Sequence, residues 1–315
     1  MSLLVVAAVI RDDRGRILLT QRPAGKHLAG TWEFPGGKLE PGEDPAAGLA
    51  RELQEELDLT VHSSAPLLAL THAYPDRTIR LLLRDVRSWE GRPQGLEGQA
   101  LRWLDPNAVN HLPMPAADRP ILKALCLDPR YAISPAPAAF ESLDCFLKDW
   151  ESRLDAGYRW LQLRAHALAG PALAKLAEGC GRLARRYGAR WLLNGPPELA
   201  EHAGADGVHL SANALRSCTA RPLSEDRIVC ASCHETSDLM RAGQLGLDFV
   251  TLSPVQASHS CPPQRAALEW AGFEALCRCS PLPVLALGGL NPSDLAEARE
   301  RGGFGVAGTT AFTGR

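Results

Sequence analysis

Apolar and polar residues alternate in two different ways along the chain. Up to about residue 104 the pattern is dominated by short β-like runs. Leu3 to Ile10 and Arg16 to Arg22 flank Asp12-Asp13-Arg14-Gly15, a turn signature, and predict a β-hairpin. After Asp44-Pro45 the period changes. Ala46, Ala50, Leu53 and Leu57 recur at helical spacing behind an acid suited to the N-cap and a proline suited to the first turn. Leu67 to Leu70, Thr78 to Val86 and Ala100 to Leu104 read as further strands. This α+β domain is expected to end near Leu127, with Asp128-Pro129 as a linker.

Beyond that point short apolar strands alternate with helical stretches. Eight strands are expected: Tyr131 to Ser134, Trp160 to Arg164, Trp191 to Asn194, Gly207 to Leu210, Ile228 to Ser232, Phe249 to Ser253, Pro283 to Leu287 and Gly305 to Ala307. Strand–helix alternation implies parallel pairing with crossover helices, and the number of strands favours a closed (β/α)8 TIM barrel over an open sheet. Two domains follow, residues 1–127 and 128–315. About 185 residues is short for such a barrel. With few residues after the last strand, its closing helix is expected to be missing or replaced.

Composition narrows the function classes. Among 315 residues, 34 Lys and Arg stand against 36 Asp and Glu, with 45% apolar residues, the balance of a globular protein rather than a disordered one. Without a basic block, binding to nucleic-acid backbones is not expected. No run approaches the length of a membrane span, and Leu3 to Ile10 lacks the flanks of an export signal. The nine cysteines all fall between Cys126 and Cys279. An odd number without an export signal points to reduced thiols and a cytoplasmic setting.

The densest chemistry lies on the first helix. Glu52, Glu55 and Glu56 occupy i, i+3 and i+4, so three carboxylates leave one face while Leu53 and Leu57 turn inward. Such a run alone is usually a solvated acidic surface. A hard dication such as Mg2+ would relieve its repulsion and hold substrate phosphates as well. Here the run sits in a longer pattern. Gly37, five residues, Glu43, seven residues, then Arg51-Glu52-Leu53-x-Glu55-Glu56 resembles the Nudix box. The glycine that the box carries after its acidic pair is Asp58, which tolerates a left-handed helix end better than most residues.

The resemblance is closest to MutT-type Nudix hydrolases, and covers about residues 3–125 through Leu19-Thr20-Gln21-Arg22, His27, Glu33-Phe34-Pro35-Gly36-Gly37-Lys38, Tyr74-Pro75-Asp76-Arg77, Trp89-Glu90-Gly91 and Glu97-Gly98-Gln99. It implies hydrolysis of 8-oxo-dGTP to monophosphate and pyrophosphate, a nucleotide-pool sanitation step that serves DNA repair. It also implies Mg2+, with Mn2+ as a substitute, on the Gly36 carbonyl, Glu52, Glu55, Glu56 and Glu97. Arg22, His27, Phe34 and Lys38 would contact the nucleotide. Asp118 stands where the family carries a base-reading asparagine. Glu52, Glu55 or Glu97 would take the proton of the attacking water, with Arg51 orienting a neighbouring carboxylate. Because an ionised carboxylate only accepts hydrogen bonds, Asp118 leaves open another nucleoside diphosphate derivative or a thiamine-related diphosphate as substrate. A sensor that binds without turnover is the non-enzyme alternative.

In the second half, candidate chemistry gathers at the strand ends: Gln162 and Arg164, Asn194, His209, Ser232 and His234, Ser253, then Gly288-Gly289 and Gly308-Thr309 as a phosphate cradle. Gln162-Leu163-Arg164, Ala205-Asp206-Gly207-Val208-His209, Ser232-Cys233-His234, Leu252-Ser253-Pro254 and Leu287-Gly288-Gly289 resemble the thiamine-phosphate synthase and thiazole tautomerase superfamily over about residues 131–312. The departures are specific. The synthase's basic residue is His166, its Asn-Asp is Asn194-Gly195, its second acidic metal site is Ala212-Asn213-Ala214, and its lysine after Ser258-His259-Ser260 is Cys261. Synthase activity is therefore not expected. A thiazole or pyrimidine phosphate ligand is, with His234 at the tautomerase's catalytic position, and a homodimer is a candidate assembly. Cys230-Ala231-Ser232-Cys233-His234 matches a haem-attachment string, but a barrel strand cannot wrap a porphyrin.

Overall fold

The computed structural model describes residues 2–26, 28–109, 112–165, 168–257 and 266–313. The chain divides into two compact units, Met1–Cys126 with Cys277–Pro283, and Leu127–Leu276 with Val284–Arg315.

The first unit is built from β1 (Leu3–Ile10), β2 (Ile17–Gln21), β3 (Trp32–Glu33), β4 (Gly36–Lys38), α1 (Pro45–Leu57), β5 (Thr60–Ala73), β6 (Thr78–Glu90), β7 (Leu101–Leu104) and α2 (Arg119–Leu125). Its strands form two sheets, ordered β4-β1-β6-β5 and β3-β2-β7. The expected hairpin gives way to a different pairing: β1 and β2 belong to different sheets and, among the described residues, are joined by the bridge Arg11–Ile17 and the turn bond from Asp12 N–H to the Arg16 carbonyl at 3.0 Å. The reason lies in the run itself. Val6 to Ile10 is buried on both faces, so β1 becomes a central strand, parallel to β6 and antiparallel to β4.

Helix α1 starts and stops as its sequence dictates. The Asp44 carboxylate accepts the N–H groups of Ala46 and Ala47, Pro45 opens the first turn, and Asp58 ends the helix at φ 55°. Leu49, Leu53 and Leu57 then pack on Val6, Ala8 and Ile10 of β1 and on Leu59 and Val86. Each leucine buried in this way contributes roughly 1.5–3 kcal/mol. The polar face of the helix, with its glutamates, is left outward.

The second unit alternates β8 (Arg130–Ile133), α3 (Leu143–Asp155), β9 (Trp160–Arg164), α4 (Gly170–Arg186), β10 (Arg190–Asn194), α5 (Pro197–His202), β11 (Gly207–Leu210), α6 (Ala212–Ser217), β12 (Ile228–Cys233), α7 (Thr236–Gln244), β13 (Phe249–Leu252), α8 (Glu269–Cys277), β14 (Val284–Leu287), α9 (Leu295–Glu300) and β15 (Gly305–Gly308). The eight parallel strands close on themselves through β15 and β8. Asp128 and Pro129 are no free linker. The Pro129 carbonyl accepts Val306 N–H at 2.8 Å and Asp128 holds the Arg130 guanidinium, so the pair already belongs to the barrel wall.

After β15 the described chain folds back on the barrel. Phe312 is fully buried over Gly308, and the buried Arg153 of α3 donates to the carbonyls of Thr309 at 3.0 Å and Phe312 at 2.6 Å. Within the described residues no helix is long and apolar enough to cross a membrane.

Candidate active site

The glycine pair at the start of the acidic motif has a steric cause. Gly36 has φ 144° and lies on β1, where a methyl group would meet the Val6 carbonyl oxygen at 2.2 Å. At Gly37 a methyl group would lie 2.1 Å from Glu52 Oε2. Strand β4 therefore passes directly over the Glu52 carboxylate, and a side chain at position 37 would displace that carboxylate from where it lies.

Arg51 organises the acids around it. Its Nε and Nη2 donate to both oxygens of Glu43 at 2.9 and 3.0 Å, and its Nη1 to Glu52 at 2.9 Å and Glu55 at 3.3 Å. The paired fork and the Glu40 N–H together push Glu43 down to about 2. Glu55 is the most exposed of the three helix acids, whereas Glu52 and Glu56 are half-buried.

Glu97 joins them by backbone docking. The loop before β7 is fastened to the end of α1 by Gln94 N–H to the Leu57 carbonyl at 3.0 Å, and by Leu96 N–H and Gln99 Nε2 to the Glu56 carbonyl at 3.0 and 2.9 Å. The Gln99 side chain also accepts Glu97 N–H at 2.8 Å. Glu97 is thus set against Glu56, whose carboxyl is pushed up to about 7 by burial first, then by the negative charges of Glu97 and Glu52. Among the described residues, no three His, Cys, Asp or Glu side chains stand close enough together to hold a metal ion as they are. The donors nonetheless suit a hard dication: all are oxygens, and their mutual repulsion, visible at Glu56, is what a bound cation removes.

Lys26, which the sequence reading passed over, donates to Glu97 at 2.5 Å. The loop after β2 that carries it and the turn before β7 wall a cleft of about 460 Å3 lined by Gln21, Arg22, Ala29, Gly30, Gly98 and Gln99. Arg22 bonds Glu33 at 2.6 Å. Phe34 is buried, Lys38 is exposed with its carbonyl accepting from Arg51, and His27 lies outside the described residues. Asp118 precedes α2, is only 6% exposed, and caps no backbone N–H. Its carboxyl is pushed up to about 8 by burial and then by Glu33, against the pull of Arg22. Tyr74 is held in the same field.

In the barrel, the interior begins with an aromatic layer. Tyr131 and Trp160 lie 4.4 Å apart, Trp160 and Phe249 4.5 Å, and the His209 ring stacks on Tyr131 at 5.9 Å. Tyr131 Oη and Cys230 Sγ both reach His209 Nδ1 at 3.2 Å, while His209 Nε2 meets Ser232 Oγ at 2.9 Å. Burial pushes the Cys230 thiol well up, so it is a neutral interior group, unlike the open cysteine of a haem-attachment site. Asn194 donates to the His209 carbonyl at 2.6 Å. Two buried polar atoms, Gln162 Oε1 and Thr251 Oγ1, have no hydrogen-bond partner among the described residues.

At the strand ends, His234 Nδ1 donates to the Ser253 carbonyl at 2.7 Å, and His234 N–H is held by Asp238, which Arg216 grips. Arg164 is half-buried, its N–H on Ser134 Oγ. Gly288 and Gly289 have φ 103° and 69° and lie against the backbone of Pro254 to Ala257; Gly308 lies under the Phe312 ring, with Thr309 half-buried beside it. His166 and the segment from Ser258 to Cys261 lie outside the described residues.

The comparisons divide as the units do. The NUDIX domain model matches residues 6–124 and the thiamine monophosphate synthase model residues 131–312. The 8-oxo-dGTP diphosphatase of Escherichia coli is 38% identical over 124 residues, 39% of this chain and 96% of its own length. The CTP pyrophosphohydrolase of the same organism is 42% identical over 120 residues, 38% of this chain and 88% of its own. For the second unit, the thiamine-phosphate synthase of Thermus thermophilus is 36% identical over 166 residues, 51% of this chain and 78% of its own.

Proposed function

Because the chain belongs to the Nudix family through residues 6–124 and to the thiamine monophosphate synthase family through residues 131–312, we propose that its first unit hydrolyses an oxidised purine nucleoside triphosphate, 8-oxo-dGTP, to monophosphate and pyrophosphate. This removes the damaged nucleotide from the pool that feeds DNA synthesis. The observation that supports the reading is the acid-bearing face of α1, where Arg51 holds Glu52 at 2.9 Å and the loop carrying Glu97 is fastened to the Glu56 carbonyl, with Glu56 pushed up to about 7 by burial and then by Glu97 and Glu52.

Glu52, Glu55, Glu56, Glu97 and the Gly36 carbonyl would hold Mg2+, or Mn2+ in its place. The cation supplies charge neutralisation for the phosphate oxygens and acidifies the attacking water. Glu52, positioned by Arg51 at 2.9 Å and by the clearance at Gly37, takes the proton from that water. Attack on phosphorus breaks a bond to a bridging oxygen, which leaves on the second product. Arg51 keeps the neighbouring acids in register; Arg22, His27, Phe34 and Lys38 would bind the nucleotide.

Asp118 would read the base as a neutral acid. With its carboxyl at about 8, it carries a proton at neutral pH and offers one donor and one acceptor, as an amide does. The 8-oxo purine presents N7–H beside O6, which complements that pair. An unmodified purine presents two acceptors and leaves the carboxyl oxygen facing a lone pair. The test is pyrophosphate release across 8-oxo-dGTP, dGTP, CTP, other triphosphates, ADP-ribose and thiamine diphosphate. A kcat/KM highest for 8-oxo-dGTP supports the reading; preference for CTP or a thiamine compound overturns the substrate, and no turnover of any of them favours a sensor.

The second unit would bind a thiazole or pyrimidine phosphate without a divalent ion and without synthase activity. In support, Asn194-Gly195 and Ala212-Asn213-Ala214 supply no carboxylate, and Gln162 Oε1 and Thr251 Oγ1 are buried acceptors without a partner among the described residues. His234, oriented through Nδ1, is the candidate proton shuttle, with Arg164, Gly288, Gly289, Gly308 and Thr309 toward the phosphate. An unchanged tautomerisation rate in His234→Ala, or none in the parent chain, removes that role.

A further inference from the structure

The ion pair between Lys26 and Glu97 has no part in the hydrolysis outlined above, yet it reaches into the acid cluster. The loop that carries Lys26 is pinned at its base: Arg22 N–H donates to the Thr31 carbonyl at 2.9 Å, Gly30 N–H to the Arg22 carbonyl at 3.0 Å, and Gln21 Nε2 to the Gly30 carbonyl at 2.9 Å. Lys26 is thereby presented beyond the pinned base, and its ammonium lies 2.5 Å from Glu97 Oε2. Its attraction extends to Glu56 and Glu33 as well. Lys26 thus acts on Glu97 directly and on Glu56 at longer range, both of them donors assigned above to the divalent cation, while Glu33 is already paired with Arg22. Opposite charges this close stabilise one another, whereas a dication at Glu97 and Glu56 would repel the ammonium.

We propose that Lys26 is a tethered counter-ion for the cation site, neutralising Glu97 and its neighbours in the cation-free protein and leaving Glu97 when the divalent ion binds. This rests on the reading of Glu97 and Glu56 as cation donors. It makes Lys26 an internal competitor of the metal, so the apparent cation affinity is set partly by a residue outside the donor set. Because Lys26 and Glu97 are 52% and 44% exposed, solvent screens the pair and the effect is moderate.

Mn2+ binding to the full chain, titrated by the loss of the free-ion paramagnetic resonance signal, tests this without any turnover. Lys26→Met, which keeps the length of the side chain and removes its charge, is expected to bind Mn2+ about two- to fivefold more tightly, the scale of an exposed ion pair. Lys26→Arg should stay near the parent value. Glu97→Gln should bind more weakly, and adding Lys26→Met to it should bring little further change. In chelator, Lys26→Met should melt below the parent chain and gain more from added Mn2+. Equal or weaker Mn2+ binding by Lys26→Met, with Glu97→Gln weakened, overturns the counter-ion role alone. If Glu97→Gln and Glu56→Gln both bind Mn2+ like the parent, the cation site and the counter-ion fall together.

Discussion

At the first unit's site, like charges are brought together by packing: Glu52 under β4, Glu97 docked through Gln99 onto the end of α1, and Glu56 between them with its carboxyl at about 7. Inside the barrel, two buried neutral side chains, Gln162 and Thr251, have Oε1 and Oγ1 without partners among the described residues. The two arrangements stabilise different occupants. Converging carboxylates raise the free energy of the empty site and lower it for a dication and the phosphates it carries. Unpaired neutral acceptors favour a ligand with N–H or O–H groups and give a dication little to bind. On the proposed reading, one chain would carry a site organised by charge and a site organised by hydrogen-bonding capacity.

The largest expected effect removes the charge from the first site. Glu56→Gln should lower pyrophosphate release on the order of a hundredfold or more, since the lost neutralisation of phosphate charge is worth several kcal/mol. A rate within threefold of the parent would erase the contrast, because the acids would then be a surface feature. Next comes pH. The protonated Asp118 fraction falls about tenfold for each unit above pH 8, so KM for 8-oxo-dGTP should climb with that slope, and Asp118→Asn should flatten it. Stability moves with the same sign. The Asp118 carboxyl is raised from 3.8 to about 8, so its favourable contribution is complete below 3.8 and is lost as pH rises through 8. Thermal melts of Asp118→Asn should therefore exceed the parent most clearly at pH 9.

Two smaller effects sharpen the comparison from the side of stability. Thr251→Val replaces a buried hydroxyl that has no partner among the described residues by a methyl group of similar size, and should raise the barrel's unfolding free energy by about 1 kcal/mol. A lower melting temperature instead would show that the hydroxyl is hydrogen-bonded in solution. Asp58→Gly relieves a left-handed residue at the end of α1 and loses the Gln54–Asp58 bond of 3.0 Å. The net gain should be roughly 0.5 kcal/mol, read as a small rise in the denaturation midpoint with unchanged hydrolysis.

Much of this was legible in the residues. The α1 caps, the acid spacing and all eight barrel strands follow local rules, because capping, helical period and apolar strand length are set by near neighbours along the chain. The β1–β2 hairpin was misread for the converse reason. A good turn at Asp12 to Gly15 says nothing about which partner a fully buried strand selects, and β1 pairs with β4 and β6. The partner of Pro129, Val306, was hidden in the same way, since it lies far along the chain.

The sequence by itself determined the two fold types and the Arg51-Glu52-x-x-Glu55-Glu56 face, because these depend on residue type and spacing, whereas the structure assigns Cys277–Pro283 to the first unit. Only the tertiary structure decided which acids meet. It separated the exposed Glu55 from the half-buried Glu52 and Glu56, brought Lys26 to Glu97 across the fold, and buried Asp118 so that its carboxyl is pushed up to about 8. Desolvation and charge proximity act through space, and so appear only when the chain has closed on itself.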